Sequence, residues 1–280
     1  MNEDRPTDRG NTPGNSKRRT YVCRLMWFAF LCLAPAIALA ERPRLDVPRT
    51  EQAPLIDGVL NDTAWDAAAL IDGLKPFLGG SYQDAIDRIP TKIRVTWNPG
   101  YLFVAFECRD PDIYATGTVK HDGNIYTEDV CEVFIDGKGD QRQWIEVQVN
   151  ALNETLDLMS LYTGKLEFRA SGRILPEHSA RDFWSFRGWE PNGMVTASGR
   201  IVEKGDVVGW TVEMAIPAET FLKRRGLKKL KPMEIRANFM RYDHPENEDG
   251  ERALMHMNWS PVEHGCPHIS PAAMGVLRLQ

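Results

Sequence analysis

The chain has 280 residues, 42% of them hydrophobic and 26% charged, and its formal net charge at pH 7 is −5. This is the composition of a globular protein, long enough for one large or two small domains. The mild acidity argues against a nucleic-acid partner, because phosphate binding needs clustered Lys and Arg side chains. The basic run after residue 40, within residues 223–231, is short and predicts a solvated helix face.

The first 40 residues have the pattern of a cleavable export signal. A polar leader is followed by Lys17-Arg18-Arg19, an apolar run over residues 25–40 and the small-residue exit Ala38-Leu39-Ala40. We expect cleavage near Ala40 and export of the mature chain to the periplasm or the extracellular space. The apolar run has about 16 residues, shorter than the roughly 20 of a membrane-spanning helix, and Pro35 interrupts it. A stable membrane span is therefore not expected in the mature chain.

Two questions about this segment stay open. A retained membrane anchor is the alternative to cleavage. Arg18-Arg19 also resembles a twin-arginine export motif, so both the twin-arginine route and the ordinary secretory route are compatible with the sequence.

After the export signal, the sequence predicts a short linker and one domain built mainly of strands. The Pro-containing residues 41–50 are predicted to be the linker, and residues 51–280 the domain. A turn at residues 55–62 leads into a short helix around Trp65, and a second brief helix is predicted at residues 218–225. Strands rich in β-branched and aromatic residues are predicted at residues 91–97, 101–108, 130–136, 144–150, 194–203, 207–216, 234–242 and 275–279. This pattern indicates an all-β, antiparallel β-sandwich of jelly-roll or immunoglobulin-like two-sheet architecture.

Two hairpins are the clearest local predictions. Asn98-Pro99-Gly100 joins the first pair of strands, and Lys204-Gly205-Asp206 joins a later pair. In the second hairpin, apolar residues alternate strictly from residue 208 to residue 216, which predicts one buried and one solvated face. Residues 173–190 are predicted to form a long loop that carries aromatic side chains.

The candidate site lies around the strand at residues 130–136. The side-chain period of two places Glu132 on the face opposite the apolar positions 131, 133 and 135. Sugar recognition requires an aromatic face for the apolar side of a pyranose ring and polar groups for its hydroxyls. Tyr126, Glu132, Gln148 and Asn150 supply these residue types. The alternative is that the polar strand residues form an ordinary solvated sheet face.

Metal binding is a competing interpretation. Of the 6 histidines, His244, His256, His264 and His268 lie in the last forty positions, but their spacing matches no strong zinc pattern. Calcium is the metal that loop acids between strands favour, because they supply hard oxygen ligands. The candidates are Asp110, Asp112, Glu128 and Asp129.

Hydrolysis by two carboxylates is a further interpretation, with Asp129 or Glu132 acting alongside Glu146. One sequence shows neither the carboxyl separation nor the raised pKa that such catalysis requires. No GxSxG, P-loop, HExxH or GxGxxG motif is present in the sequence. We therefore expect a protein that is not an enzyme.

Removal of the export signal leaves three cysteines, Cys108, Cys131 and Cys266. An odd number in an oxidising compartment permits at most one disulfide. Cys108 and Cys131 lie within predicted strands, where buried thiols and a cross-strand pair are both compatible with the pattern.

The ordered motifs of the mature chain resemble carbohydrate-binding module family 9. The resemblance runs over nearly all of residues 51–280. It is carried by Ile56-Asp57-Gly58 with Trp65, Val95-Thr96-Trp97-Asn98, Tyr101-Leu102-Phe103-Val104, Arg109-Asp110-Pro111, residues 128–136, Val147-Gln148-Val149-Asn150, residues 209–217, Asn258-Trp259-Ser260 and residues 275–279.

The resemblance implies a β-sandwich without catalytic machinery that holds a terminal sugar between two tryptophans, often alongside structural calcium. It places the first aromatic platform at Tyr126, the hydroxyl-binding acid at Glu132 and a sugar-binding arginine at Gln148. The second tryptophan falls at His268, whose ring offers less apolar area than indole, so weaker or different sugar binding is expected. The implied partners are the ends of oligosaccharides or polysaccharides.

Two other functions remain open because of His268. The broader fold group includes haem-binding electron-transfer domains, in which His268 or the nearby methionines would be axial ligands. The third possibility is a scaffold or interaction module whose sugar site has decayed.

Overall fold

The computed structural model describes residues 42–280, and the predicted export signal lies outside these residues. The described part contains fourteen strands: β1 (Arg44–Val47), β2 (Ala69–Asp72), β3 (Lys75–Pro76), β4 (Thr91–Trp97), β5 (Tyr101–Arg109), β6 (Val130–Asp136), β7 (Gln143–Asn150), β8 (Thr155–Tyr162), β9 (Phe183–Phe186), β10 (Val195–Glu203), β11 (Asp206–Pro217), β12 (Met233–Asp243), β13 (Met255–Asn258) and β14 (Gly275–Leu279). It also contains four one-turn α-helices: α1 (Thr63–Asp66), α2 (Gln83–Ile86), α3 (Pro176–Ser179) and α4 (Ala218–Leu222). Short 3₁₀ turns lie at Ile125–Thr127, Lys223–Arg225, Pro267–Ile269 and Pro271–Ala273.

The strands form two sheets, which confirms the predicted β-sandwich. The larger sheet has nine strands, with the main order β1-β14-β12-β6-β7-β8-β9 and with β13 and β3 attached beside β12. The smaller sheet has five strands in the order β10-β11-β5-β4-β2. The ladders are antiparallel except that β1 pairs with β14 in parallel. Among the described residues, no helix has the length and apolarity needed to cross a membrane.

The main core lies between the two sheets. From β6 it receives Cys131, Val133 and Ile135, as the period-two pattern predicts, and from β11 it receives Trp210 and Met214. These side chains are almost completely buried. Because neighbouring residues of a strand point to opposite faces, Glu132 projects from the outer face of the larger sheet. The fold therefore separates the apolar core from the polar residues of the candidate site.

Both predicted hairpins are confirmed, since β4 pairs with β5 and β10 with β11. The predicted solvated face of β11 is wrong, because residues 55–68 cover it. Glu213 is fully buried and accepts hydrogen bonds from Trp65 Nε1 (2.8 Å) and from the backbone N–H groups of Gly58 (2.7 Å) and Asp57 (3.0 Å). Gly58 has a φ of +88°, and a Cβ atom there would lie 2.7 Å from the carbonyl oxygen of Ser198. A glycine is thus required where this covering segment meets β10.

Two further segments differ from the prediction. Residues 44–47, predicted as part of a linker, form β1, because its register with β14 supplies backbone hydrogen bonds and buries Val47. The predicted loop at residues 173–190 contains α3 and β9, and β9 is the edge strand beside β8. Its alternation is short and partly exposed, so periodicity alone gives little indication of it.

Candidate functional site

A cavity of about 500 Å³ opens on the outer face of the larger sheet. Its floor is formed by side chains from β6, β7, β8 and β12, and its walls by β9, β13 and the loops at residues 126 and 265–268. The lining combines apolar and aromatic groups with a few converging polar ones, as is typical of small-ligand sites. The lining residues are Tyr126, Glu132, Glu146, Gln148, Leu156, Leu158, Phe183, Ser185, Arg187, Tyr242, Leu254, His256, Gly265, Pro267 and His268.

Four of the five predicted site residues meet in this cavity. Tyr126, Glu132, Gln148 and His268 all line it. Asn150 is not among the lining residues. Its Nδ2 donates to Glu128 Oε2 (2.7 Å), and its Oδ1 accepts backbone N–H groups of the turn after β7. Its side chain therefore stabilises the β7–β8 turn, and the sequence pattern did not distinguish that role from ligand binding.

Three polar side chains form the polar part of the cavity floor. Glu132 on β6 is the register partner of Gln148 on β7, and Glu146 lies two residues earlier on β7 and on the same face. Gln148 Nε2 donates to Glu146 Oε1 over 2.7 Å. Within residues 42–280, Glu132 Oε2, Glu146 Oε2 and Gln148 Oε1 are buried without a hydrogen-bond partner. Such orphaned groups cost about 1–3 kcal/mol each, so a ligand that bonds to them gains affinity.

The two acids of the floor hold protons unusually strongly. Burial raises the pKa of Glu132 well above its ordinary value, the nearby Glu146 carboxyl raises it further, and a contact with the Tyr242 hydroxyl opposes the change. Burial also raises the pKa of Glu146 to about 7, against the lowering effects of the Gln148 amide and the Arg187 charge. The interpretation of Glu132 as a charge on a solvated face is wrong, because it is 1% exposed. Near neutral pH the floor offers both O–H donors and oxygen acceptors.

Aromatic groups border the floor. Tyr126 is 37% exposed and is the most exposed aromatic side chain that lines the cavity. On another wall, the ring centroids of Phe183 and His268 lie 6.0 Å apart. Trp144 stacks on Phe183, and its Nε1 donates to the His268 carbonyl oxygen over 3.1 Å. The aromatic pair is therefore held in place by a buried residue from the adjoining core.

Several lining residues could not be found from the sequence pattern. Phe183 lies in β9, which was predicted as loop, and Tyr242 and His256 lie on β12 and β13 with their rings 4.2 Å apart. Burial and the charges of two neighbouring histidines lower the pKa of His256 to about 4, so its ring is neutral at pH 7. Its aromatic face therefore adds apolar wall without adding charge. The alternation of Phe183, Ser185 and Arg187 was the sequence signal that could have placed these three side chains on one face of a strand.

The predicted calcium ligands divide among three places. Asp112 pairs with Arg252 at the surface, and Glu128 bonds with Thr116 and Asn150. Asp110 and Asp129 meet Asp243 in a group whose ligand atoms lie within 4.8 Å of one another. We call Asp110, Asp129 and Asp243 the acid cluster.

A buried guanidinium already contacts the acid cluster. Arg241 is fully buried and donates to Asp110 (2.9 Å) and Asp243 (2.6 Å). Burial nevertheless raises the pKa of Asp243 to about 7, with the charges of Asp129 and Asp110 adding to the rise and Arg241 opposing it. Three carboxylates against one guanidinium leave negative charge in excess when all are ionised. The donor set therefore fits a divalent cation by charge as well as by ligand type.

The three cysteines are free thiols in the described residues. Cys108 on β5 and Cys131 on β6 face each other across the two sheets, with their sulfur atoms 3.6 Å apart. Cys266 is buried in a separate cluster. Cys108 and Cys131 therefore make a van der Waals contact between the two sheets, without a disulfide bond.

Comparisons with known proteins agree with the fold. Residues 56–170 match a family model described as carbohydrate family 9 binding domain-like, which confirms the resemblance seen in the sequence. The chain is similar to the crystal structure of a proposed carbohydrate-binding protein from Bacteroides uniformis ATCC 8492, with a TM-score of 0.59 and 14% identity over 86% of this chain and 99% of that chain. No curated protein matches the sequence significantly.

Two further solved structures are of a carbohydrate-binding module family 9 from Caldicellulosiruptor kristjanssonii, one in complex with glucose and one with cellotriose. Each has a TM-score of 0.52 and 16% identity over 85% of this chain, and the match covers 96% of the glucose-bound chain and 94% of the cellotriose-bound chain. At such identities the similarity establishes the fold alone.

Proposed function

We propose that this chain, which resembles carbohydrate-binding module family 9 in sequence over residues 56–170 and in fold across its described part, binds a terminal sugar without cleaving it. The observation that carries the proposal is the cavity itself. It combines an accessible tyrosine ring at its mouth with buried, partnerless oxygens at its floor. Sugars present both an apolar ring face and a set of hydroxyls, and they match this combination.

The four predicted residues that line the cavity each have a task in this proposal. Tyr126 is the platform for the apolar face of the sugar ring. Glu132 and Gln148 bond to its hydroxyls, and Glu146, which the sequence did not single out for binding, joins them. His268 with Phe183 replaces the second indole of the family pattern. Because imidazole has less apolar area than indole, we expect weaker binding than a pair of tryptophans gives.

We also propose that the protein is exported and acts on the ends of oligosaccharides or polysaccharides outside the cytoplasm. The export pattern of residues 1–40 supports export, and the buried side chains at the floor of the cavity support binding of chain ends. A floor of fixed side chains suits the terminal sugar of a polysaccharide better than an internal sugar, because the polysaccharide must continue out of the cavity on both sides of an internal sugar.

Calorimetric titration of the full chain with glucose, cellotriose and a panel of other oligosaccharides tests the proposal. Tyr126→Ala should weaken the best ligand at least tenfold, which corresponds to about 1.4 kcal/mol. Trp184→Ala is the matched control, because Trp184 is 54% exposed on β9 and is not a lining residue of the cavity. No heat with any sugar, or equal losses in both variants, would contradict the proposal. The sugars should be recovered uncleaved, since release of shorter products would instead indicate hydrolysis by the acid pair.

Haem binding is the second function left open by the sequence, and it has less support. Met255 and Met257 pack toward the core between the sheets, whereas His256, between them on β13, lines the cavity. The methionines are therefore on the wrong face of β13 to join His268 as axial ligands. A Soret band in the purified protein would favour the haem function over sugar binding.

For calcium, we propose the acid cluster as the structural site. Its excess of negative charge and its hard oxygen donors support this assignment. Addition of Ca²⁺ should raise the unfolding temperature of the full chain, and Asp129→Asn should abolish the rise. An unchanged unfolding temperature in the parent protein would remove the calcium proposal without affecting sugar binding.

A further inference from the structure

A second group of ligating side chains lies outside the acid cluster and is not used by the proposed sugar site. His121, Asp122 and Glu190 each offer one ligand atom, and these atoms lie within 4.8 Å of one another. His121 Nε2 is 3.1 Å from Glu190 Oε1 and 3.9 Å from Asp122 Oδ2. In a tetrahedral zinc site, bonds of 2.0–2.1 Å place neighbouring ligand atoms about 3.3 Å apart. The observed spacings bracket that value, so small side-chain rotations would complete the geometry.

The histidine of this group is oriented as a ligand. Its Nδ1 lies 2.8 Å from Thr155 Oγ1 and 3.2 Å from the Thr155 carbonyl oxygen. When Nδ1–H donates to that carbonyl oxygen, the lone pair of Nε2 is left facing the two carboxylates. Histidines that bind metals are commonly fixed in this way by a hydrogen bond from the other ring nitrogen.

A buried carboxyl behind the group supplies the independent observation. Asp157 on β8 is 1% exposed, and its Oδ1 has no hydrogen-bond partner in the described part of the chain. Asp157 lies close enough to Glu190, Asp122 and His121 for their charges to act on it. A buried carboxyl beside two further carboxylates is unfavourable unless a cation compensates it. The single imidazole supplies at most one positive charge.

An ordinary surface ion pair explains less of this arrangement. The His121–Glu190 contact alone would be a weak exposed pair, but it leaves the partnerless oxygen of Asp157 unexplained. His178 provides the comparison within the same chain. Its two ring nitrogens contact different acids, Nδ1 with Asp182 (3.0 Å) and Nε2 with Glu167 (3.1 Å), so its acids lie on opposite sides of the ring. Those acids cannot share one ion with that imidazole, whereas the acids beside His121 both face Nε2.

We propose that His121, Asp122 and Glu190 bind a divalent transition metal ion beside the buried Asp157 carboxyl, with Zn²⁺ as the best match to one imidazole and two carboxylates. Imidazole favours zinc over calcium or magnesium, which prefer all-oxygen sites. The site is tethered to one wall of the sugar cavity, because Arg187 lines that cavity and also donates to the Asp122 carbonyl oxygen (3.1 Å).

Titration of the metal-free full chain with ZnCl₂, followed by calorimetry and by thermal unfolding, tests the proposal. The parent protein should bind one Zn²⁺ and unfold at a higher temperature with it. His121→Ala and Glu190→Gln, both at exposed side chains, should each lower zinc affinity at least tenfold. His178→Ala and Asp129→Asn are the controls and should bind zinc as the parent does.

Three outcomes would overturn the proposal. They are the absence of zinc binding by the parent, zinc binding that the His121 and Glu190 variants retain, and equal binding of Ca²⁺ at these residues. Asp157→Asn adds a measurement that does not depend on metal: it should stabilise the metal-free fold, because it replaces a buried carboxyl whose Oδ1 has no hydrogen-bond partner in the described residues. A loss of stability there would mean that the carboxyl is satisfied without an ion. Sugar titrations report on Tyr126 and the cavity floor, so failure of either proposal is distinguishable from failure of the other.

Discussion

Replacing Glu146 with glutamine should make the protein more stable at alkaline pH. Glu146 is 3% exposed, and burial raises its pKa from an ordinary 4.5 to about 7. In the unfolded chain it ionises near its ordinary pKa, so between these values the folded state holds a proton that the unfolded state has released. Stability therefore falls as pH rises through this window and does not recover above it. A change of about 2.5 pKa units corresponds to about 3 kcal/mol.

Glutamine has the shape of glutamic acid but cannot ionise. Its carbonyl oxygen can still accept the hydrogen bond that Gln148 Nε2 donates to Glu146 Oε1. We therefore expect Glu146→Gln to match the parent at pH 4.5 and to exceed its free energy of unfolding by up to about 3 kcal/mol at pH 8. For a domain of this size, that gain raises the unfolding temperature by about 6–12 °C.

Urea unfolding of both proteins at pH 4.5, 6 and 8 measures the difference. Glu203→Gln is the control, because Glu203 is an exposed residue paired with Arg109 and its replacement should have little effect at any of these pH values. If Glu146→Gln is no more stable than the parent at pH 8, or if its gain is the same at all three pH values, the argument from burial is refuted.

Three further substitutions test the buried polar contacts. Arg241→Met should lower the free energy of unfolding by about 3–5 kcal/mol at pH 8 and by less at pH 5, where the carboxylate partners of Arg241 take up protons. Urea unfolding at the two pH values measures both losses, and equal losses would contradict this prediction. Glu213→Ala should lower the free energy of unfolding by about 3 kcal/mol or more, because it removes the hydrogen-bond acceptor of the Trp65 indole and of two backbone N–H groups. The expected readout is a red shift of tryptophan fluorescence before global unfolding. Gly58→Ala should lower the free energy of unfolding by at least about 1–3 kcal/mol, because alanine is strained at a φ of +88° and its Cβ would clash with the Ser198 carbonyl oxygen. Thermal unfolding measures this, and an unchanged unfolding temperature would show that residues 55–68 do not pack on β10 and β11 as described.

The fold was predictable where the sequence alternates clearly. The bounds of β4, β6 and β14 are as predicted, and those of β5 and β11 differ from the prediction by one residue at one or both ends. Strand β1 was missed because four residues after a proline carry little periodicity, and its partner lies more than two hundred residues away. Glu213 was expected to be solvated because alternation reports which face of a strand a residue occupies. It does not report whether another segment covers that face.

The candidate site was predictable only in part, for a related reason. Motif order placed Tyr126, Glu132, Gln148 and His268 together, and they share one cavity. Glu146 was considered only as half of a catalytic pair, because its contact with Gln148 depends on side-chain geometry within the strand. Phe183 depends on β9 joining the sheet, which is a tertiary event. The positions of Glu146 and Phe183 in the site depend on strand register and side-chain packing, which cannot be read directly from one sequence.

The parallel pairing of β1 with β14 has a consequence for how the protein is made. In the larger sheet, β14 lies between β1 and β12, so β1, the first strand of the described chain, joins the sheet only through β14, the last strand. Until Gly275–Leu279 has been synthesised, β1 lacks its hydrogen-bonding ladder. The larger sheet is therefore completed only once β14 has been synthesised, and loss of β14 would leave β1 without its ladder of hydrogen bonds.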